Sequence, residues 1–168
     1  MKLLDRLATA SGVAAAVSLL LIAVIILAQI TARLIGGQIP AADDFAAWAM
    51  AASAFLALPY ALRHGDHIRV TLILHRLPAG AQRGAEVLAT ALGLGLAAWS
   101  AGYAGLFVFD SWRYDEVAQG VVRVPMWIPQ LPMPVGLGLL AALLAERLWK
   151  ALSGQPLDSG SEDAARTE

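Results

Sequence analysis

Cysteine is absent from the 168 residues, which removes disulfides, thiolate metal sites and thiol-based redox chemistry, including that of quinone-linked thiol oxidases. Charge is scarce as well. Asp, Glu, Lys and Arg make up 15% of the chain, against about 25% in soluble domains. The scarcity is uneven: four stretches, 7–32, 45–62, 87–109 and 124–145, contain no Asp, Glu, Lys, Arg or His. Their absence there excludes whole classes of machine. A proton-coupled four-helix exchanger needs a carboxylate inside a span. A haem-binding bundle needs histidines within its helices, and His64, His67 and His75 all fall between the second and third stretches. A net charge of −1 and a pI near 6.3 give no sign of nucleic-acid binding.

What is present is apolar: 58% of residues are hydrophobic and the mean hydropathy is +0.64. A helix needs about 20 apolar residues, rising 1.5 Å each, to cross roughly 30 Å of hydrocarbon. The first, third and fourth stretches meet that length, and 45–62 is near the minimum. All four are continuously apolar rather than alternating, which indicates helices and not barrel strands. The fold class that follows is an all-α integral membrane protein with four transmembrane helices. Residues 1–152 form the membrane domain, and 153–168, rich in small and acidic residues, form a disordered tail. The first stretch is too long for the core of a secretion signal, and no small-x-small cleavage site follows it, so it is expected to stay as the first span.

Basic residues set the expected orientation, because they resist translocation. Lys2, Arg6, Arg63, Arg69, Arg76, Arg83, Arg147, Lys150 and Arg166 fall on one side, and Arg33, Arg113 and Arg123 on the other. The first side is therefore expected to be cytoplasmic, with both chain ends on it. On the outer side Gly36, Gly37 and Pro40 break the chain, and Asp43 and Asp44 then open the second span at the positive end of its dipole. A connector, 64–86, is expected to lie along the cytoplasmic membrane surface. Arg63, Arg69 and Arg76 form a basic cluster there, facing lipid headgroups or a partner. Pro125, Pro129, Pro132 and Pro134 crowd the start of the fourth span, which is expected to be irregular until about Val135. Trp48, Trp112 and Trp127 at one boundary, with Tyr60 and Trp149 at the other, read as an aromatic belt. Trp99 and Tyr103 lie deeper and are expected to face another helix.

Little in the chain resembles a reactive site. His64, Asp66 and His67 supply two imidazoles and a carboxylate, but Gly65 interrupts them and no fourth ligand is evident, so neither a metal nor a cofactor is expected. The clearest pattern is one of small residues. Ala89, Gly93, Ala97, Ala101 and Gly105 recur at every fourth position of the third span, and Ala49, Ser53, Ala57 and Ala61 do so on the second. Such ladders let helices approach closely, where van der Waals packing drives association in lipid. Scattered polar residues form no channel stripe, and the His64–Asp66–His67–Arg69 group lacks a nucleophile. A membrane enzyme or homo-oligomeric channel is therefore the weaker alternative.

Two segments resemble the small membrane subunit of tripartite ATP-independent periplasmic (TRAP) transporters, the DctQ-like family. One runs from Asp43-Asp44 through Ala61-Leu62-Arg63-His64-Gly65-Asp66-His67-Ile68-Arg69-Val70. The other is Val124-Pro125-Met126-Trp127 with Leu131-Pro132 and Val135-Gly136. The resemblance implies a non-catalytic subunit of the bacterial inner membrane. Its partners would be a large membrane subunit, a periplasmic solute-binding protein and membrane lipids. Together they would take up an organic-acid-type solute on a sodium or proton gradient. Pro129 and Pro134 depart from the family's usual pattern.

Overall fold

The structure, a computed structural model, describes residues 2–64 and 79–153. Within them the chain forms α1 (Lys2–Leu34), α2 (Ala42–His64), α3 (Ala79–Arg113), the single turn α4 (Trp127–Gln130) and α5 (Pro132–Leu152). Four helical stretches are long and apolar enough to cross a membrane, with α4 and α5 acting together as the fourth. Each exceeds its charge-free core. The 33 residues of α1 and 35 of α3 extend about 50 Å, some 20 Å more than the hydrocarbon needs. The surplus carries the charges. Thus α3 begins at Ala79, eight residues ahead of the uncharged stretch, and holds Arg83 and Glu86 in its first turns. The rest of the connector, with Arg69 and Arg76, and the tail beyond Ser153 lie outside the described residues.

The helices form an open row rather than a closed bundle. α1 packs along α2, α2 along α5 and α5 along α3, while α3 has no substantial contact with α1 or α2. The buried positions show which face of each helix packs. On α3 they are Thr90, Ala97, Ala104 and Ser111, seven residues apart. On α1 the buried and half-buried positions include Leu4, Ala8, Ser11, Ala15, Ser18, Ile22, Ile25, Gln29 and Ala32, an alternation of four and three, with Asp5 and Gly12 beside it. Spacing of 3.5 residues keeps a seam facing one neighbour and gives the left-handed crossing of coiled coils. Ser11 and Ser18 keep their hydroxyls satisfied within α1, donating to the Ala8 and Ala14 carbonyls at 2.9 Å.

At the α2–α5 crossing backbone approaches backbone. Pro59 is fully buried within α2, and having no N–H it leaves the Phe55 carbonyl without its helical donor. Gly136 of α5 lies against that carbonyl. A β-carbon there would collide with the Phe55 oxygen and stand 2.6 Å from its carbon. Proline thus frees a carbonyl and glycine lets a backbone reach it, a geometry suited to a Cα–H···O contact.

The prolines before α5 act as expected in kind but over fewer residues. Regular helix resumes at Pro132 rather than Val135. Pro132 and Pro134 occupy the first turn, where a missing N–H has no intrahelical partner to lose. The Ile128 carbonyl, denied its donor by Pro132, accepts from Leu131 N–H at 3.3 Å instead. Leu131 keeps helical dihedrals (φ −52°, ψ −40°), so the axis passes through the break.

Candidate functional site

Polar groups gather at the two ends of the row. The end carrying the start of α1 and the finish of α5, here the terminal end, holds a cluster that ties the helices together. Arg63 of α2 pairs with Asp5 of α1 and lies 3.6 Å from Glu146 Oε2 of α5. Glu146 Oε1 is 3.3 Å from Lys150 Nζ, and Arg147 Nη2 is 3.5 Å from Glu86 Oε1 of α3. Three carboxylates thus meet three cations, and all four long helices contribute. The Glu146 oxygens are shut off from solvent and accept no hydrogen bond among the described residues. The flanking cations therefore stabilise its charge, as a half-buried carboxylate requires.

At the opposite, loop end the links are lighter. Gln29 of α1 joins two charges, donating to Asp43 Oδ1 and accepting from Arg33 Nη2, each at 3.2 Å, in the amide orientation that satisfies both. The connection from α3 is an ordered hairpin. Ala118 N–H donates to Val124 O and Met126 N–H to Glu116 O, both at 2.8 Å. Ser111, fully enclosed, donates to Glu116 Oε2 at 2.7 Å and anchors the hairpin to α3. Gly120 at its tip touches the Asp44 carboxylate, where a β-carbon would collide. The acidic pair that opens α2 is therefore also the seat of this hairpin.

The residues singled out from sequence fall into place unevenly. Arg63 sits in the internal cluster, its side chain 27% exposed. Arg69 and Arg76 lie outside the described residues, as do Asp66 and His67, while His64 stacks on Tyr60 with ring centroids 4.1 Å apart. Among the described residues no group of His, Asp or Glu is arranged to hold a metal. Along the α3 ladder, Ala97 is buried, Gly93, Ala101 and Gly105 are half-buried, and Ala89 is exposed. A β-carbon at Gly93 would meet Leu144 of α5 at 3.7 Å, whereas at Gly105 it would meet nothing. The ladder drifts across the seam because four-residue steps overrun a 3.5-residue period. Trp99 and Tyr103 are not packed into a helix interface of this chain; they are 63% and 60% exposed, against each other at 4.9 Å, with Tyr103 on the rim of an open groove that Phe55 of α2 and Leu137 of α5 also line.

The terminal cluster and the Phe55–Gly136 crossing were missed in the sequence. The cluster needed the helix order, since Asp5, Glu86 and Glu146 are far apart in the chain. Gly136 had a signal, a glycine four residues beyond Pro132 in an apolar run, but Phe55 as its neighbour had none.

At the terminal end the charges are engaged in joining one helix to the next. The profile of one family, described as "Tripartite ATP-independent periplasmic transporters, DctQ component", matches residues 22–154. The match spans most of the chain, from within α1 past the end of α5, and the protein belongs to this family. A search of curated proteins gave no match.

Proposed function

We propose that this DctQ-family membrane protein is the small permease subunit of a TRAP transporter, a non-catalytic scaffold in the bacterial inner membrane. In this reading it binds the large membrane subunit. The large subunit moves an organic-acid-type solute, delivered by a periplasmic binding protein, on a sodium or proton gradient. The terminal end, with its excess of basic residues, faces the cytoplasm, and the loop end faces the periplasm. The basic residues Arg69 and Arg76 meet headgroups or the partner there, and Gly93 and Ala97 of the α3 ladder serve packing on α5.

The observation that carries the reading is the distribution of charge. In every long helix the charged side chains lie within about two turns of an end, and those at the terminal end hold one helix to the next. Coupling sites in carriers are built near mid-depth, from ionisable side chains or broken helices. Among the described residues the helix break, at Leu131, lies at the loop end. The test is reconstitution in vesicles under an imposed gradient, with and without the large subunit and the binding protein. Uptake is expected only with all three. Gradient-driven uptake by this chain alone would overturn the scaffold reading.

A further inference from the structure

Because α3 packs on α5 but not on α2, a groove of about 690 Å³ remains between α2 and α3, with α5 as its floor. Phe55 of α2 and Leu137 of α5 line it, with Ser100, Tyr103, Phe107 and Asp110 of α3. Asp110 is out of place there on three counts. It is a carboxylate on an otherwise mostly apolar surface, where an unpaired charge is unfavourable. It sits in the last turn of α3, which ends at Arg113, where the helix dipole already presents negative charge. Among the described residues no Lys, Arg or His forms an ion pair with it, although every carboxylate of the terminal cluster has such a partner.

The other flank shows what a lipid-facing surface looks like in this protein. The outward face of α1 presents Val17, Leu20, Val24 and Leu27, all exposed and all branched aliphatics without a polar atom. The groove instead combines three aromatic rings, two hydroxyls and a carboxylate. Acyl chains satisfy none of the polar groups, whereas a helix carrying a cation near its loop-end boundary fills the space and neutralises Asp110.

We propose that this groove seats a transmembrane helix of the large membrane subunit, and that a Lys or Arg of that helix pairs with Asp110. The inference rests on the subunit reading above and adds where the partner docks and with what chemistry. To test it, the full chain is co-expressed with its large subunit, carrying a photo-crosslinking phenylalanine derivative at Phe107 or, as a control, at Leu20. Crosslinks to the large subunit are expected from Phe107 and not from Leu20. Asp110→Asn is expected to lower recovery of the complex about tenfold, with helix content and thermal midpoint of the isolated chain unchanged. A complex that forms while Phe107 links only to lipid, or to a second copy of this chain, overturns the groove and leaves the subunit reading standing. Undiminished recovery with Asp110→Asn overturns the ion pair. Failure of the wild-type chain to associate with the large subunit by any measure overturns the subunit reading and the groove with it.

Discussion

The centre of the row and its flanks are held by different means. At the α2–α5 crossing, backbone meets backbone: Gly136 rests on the carbonyl that Pro59 leaves free. Along α1 and α3 the contact is a seam of small side chains at 3.5-residue spacing, Ala8, Ser11 and Ala15 on one and Thr90, Ala97 and Ala104 on the other. Ion pairs at one end then join flank to centre. In lipid no hydrophobic force drives helices together, so closeness of approach decides which contacts matter. The centre is accordingly expected to tolerate least, the ionic link less than the seams, and the outward faces most.

The largest effect is expected at the centre. Gly136→Leu places four carbons where even one collides with Phe55. A backbone carbonyl in a helix cannot swing aside as a side chain can, so the cost is expected to reach or exceed the upper end of the 1–3 kcal/mol typical of overpacking, about 3 kcal/mol. A fall in the thermal unfolding midpoint of the purified chain, with loss of compact migration in detergent, is the measurement. Gly138→Leu on the same helix, where a β-carbon meets nothing, is the matched control. Equal effects from the two would mean that the centre is not special.

A smaller effect is expected where the flanks are tied on. Arg63→Glu brings a third carboxylate beside Asp5 and Glu146 and removes the cation between them. The group is half-buried, so the loss belongs between exposed and buried ion pairs, about 1–3 kcal/mol. Asp5→Arg combined with Arg63→Glu should recover part of it, since the closest pair is restored with its sign reversed. If the double variant is no better than the singles, the link acts through packing and not charge. Thermal midpoints at low and high salt measure both, and salt should shrink the difference.

How much of this was legible in the sequence follows the same division. The four spans and the acidic start of α2 could be read because hydropathy and charge act locally, residue by residue. The family resemblance, read from the segments around Arg63 and Trp127, also held. Helix order could not be read, and with it went the Asp5–Arg63–Glu146 pairing, which needs three helices placed at once. The α3 seam lay between these cases. Thr90, Ala97, Ala104 and Ser111 are written in the chain, but a four-residue ladder through Ala89 and Gly105 catches the eye first, because alanine and glycine are abundant enough to form both. Only the position of α5 selects one.

That choice between ladder and seam supplies the smallest and most discriminating test. The ladder and the seam share Ala97, which is buried, so Ala97→Leu should be destabilising under either description, by about 1–3 kcal/mol. They differ at their ends. A seam of 3.5-residue period keeps Thr90 and Ala104 against α5, both 7% exposed or less, and turns Ala89 outward. It leaves Gly105 half-buried, with open space beyond its α-carbon. Gly105→Leu should therefore leave the isolated chain within about 0.5 kcal/mol of wild type, as surface substitutions do. Helix propensity even favours leucine over glycine there. Ala104→Leu, one residue away, should cost as much as Ala97→Leu. If a four-residue ladder were the true interface, the order would reverse, with Gly105→Leu disruptive and Ala104→Leu mild. Measuring both in the purified chain and again in the presence of the large subunit separates packing within this protein from packing against a partner. A Gly105→Leu chain that is stable alone yet fails to assemble would place the ladder's far end on the partner's side of α3.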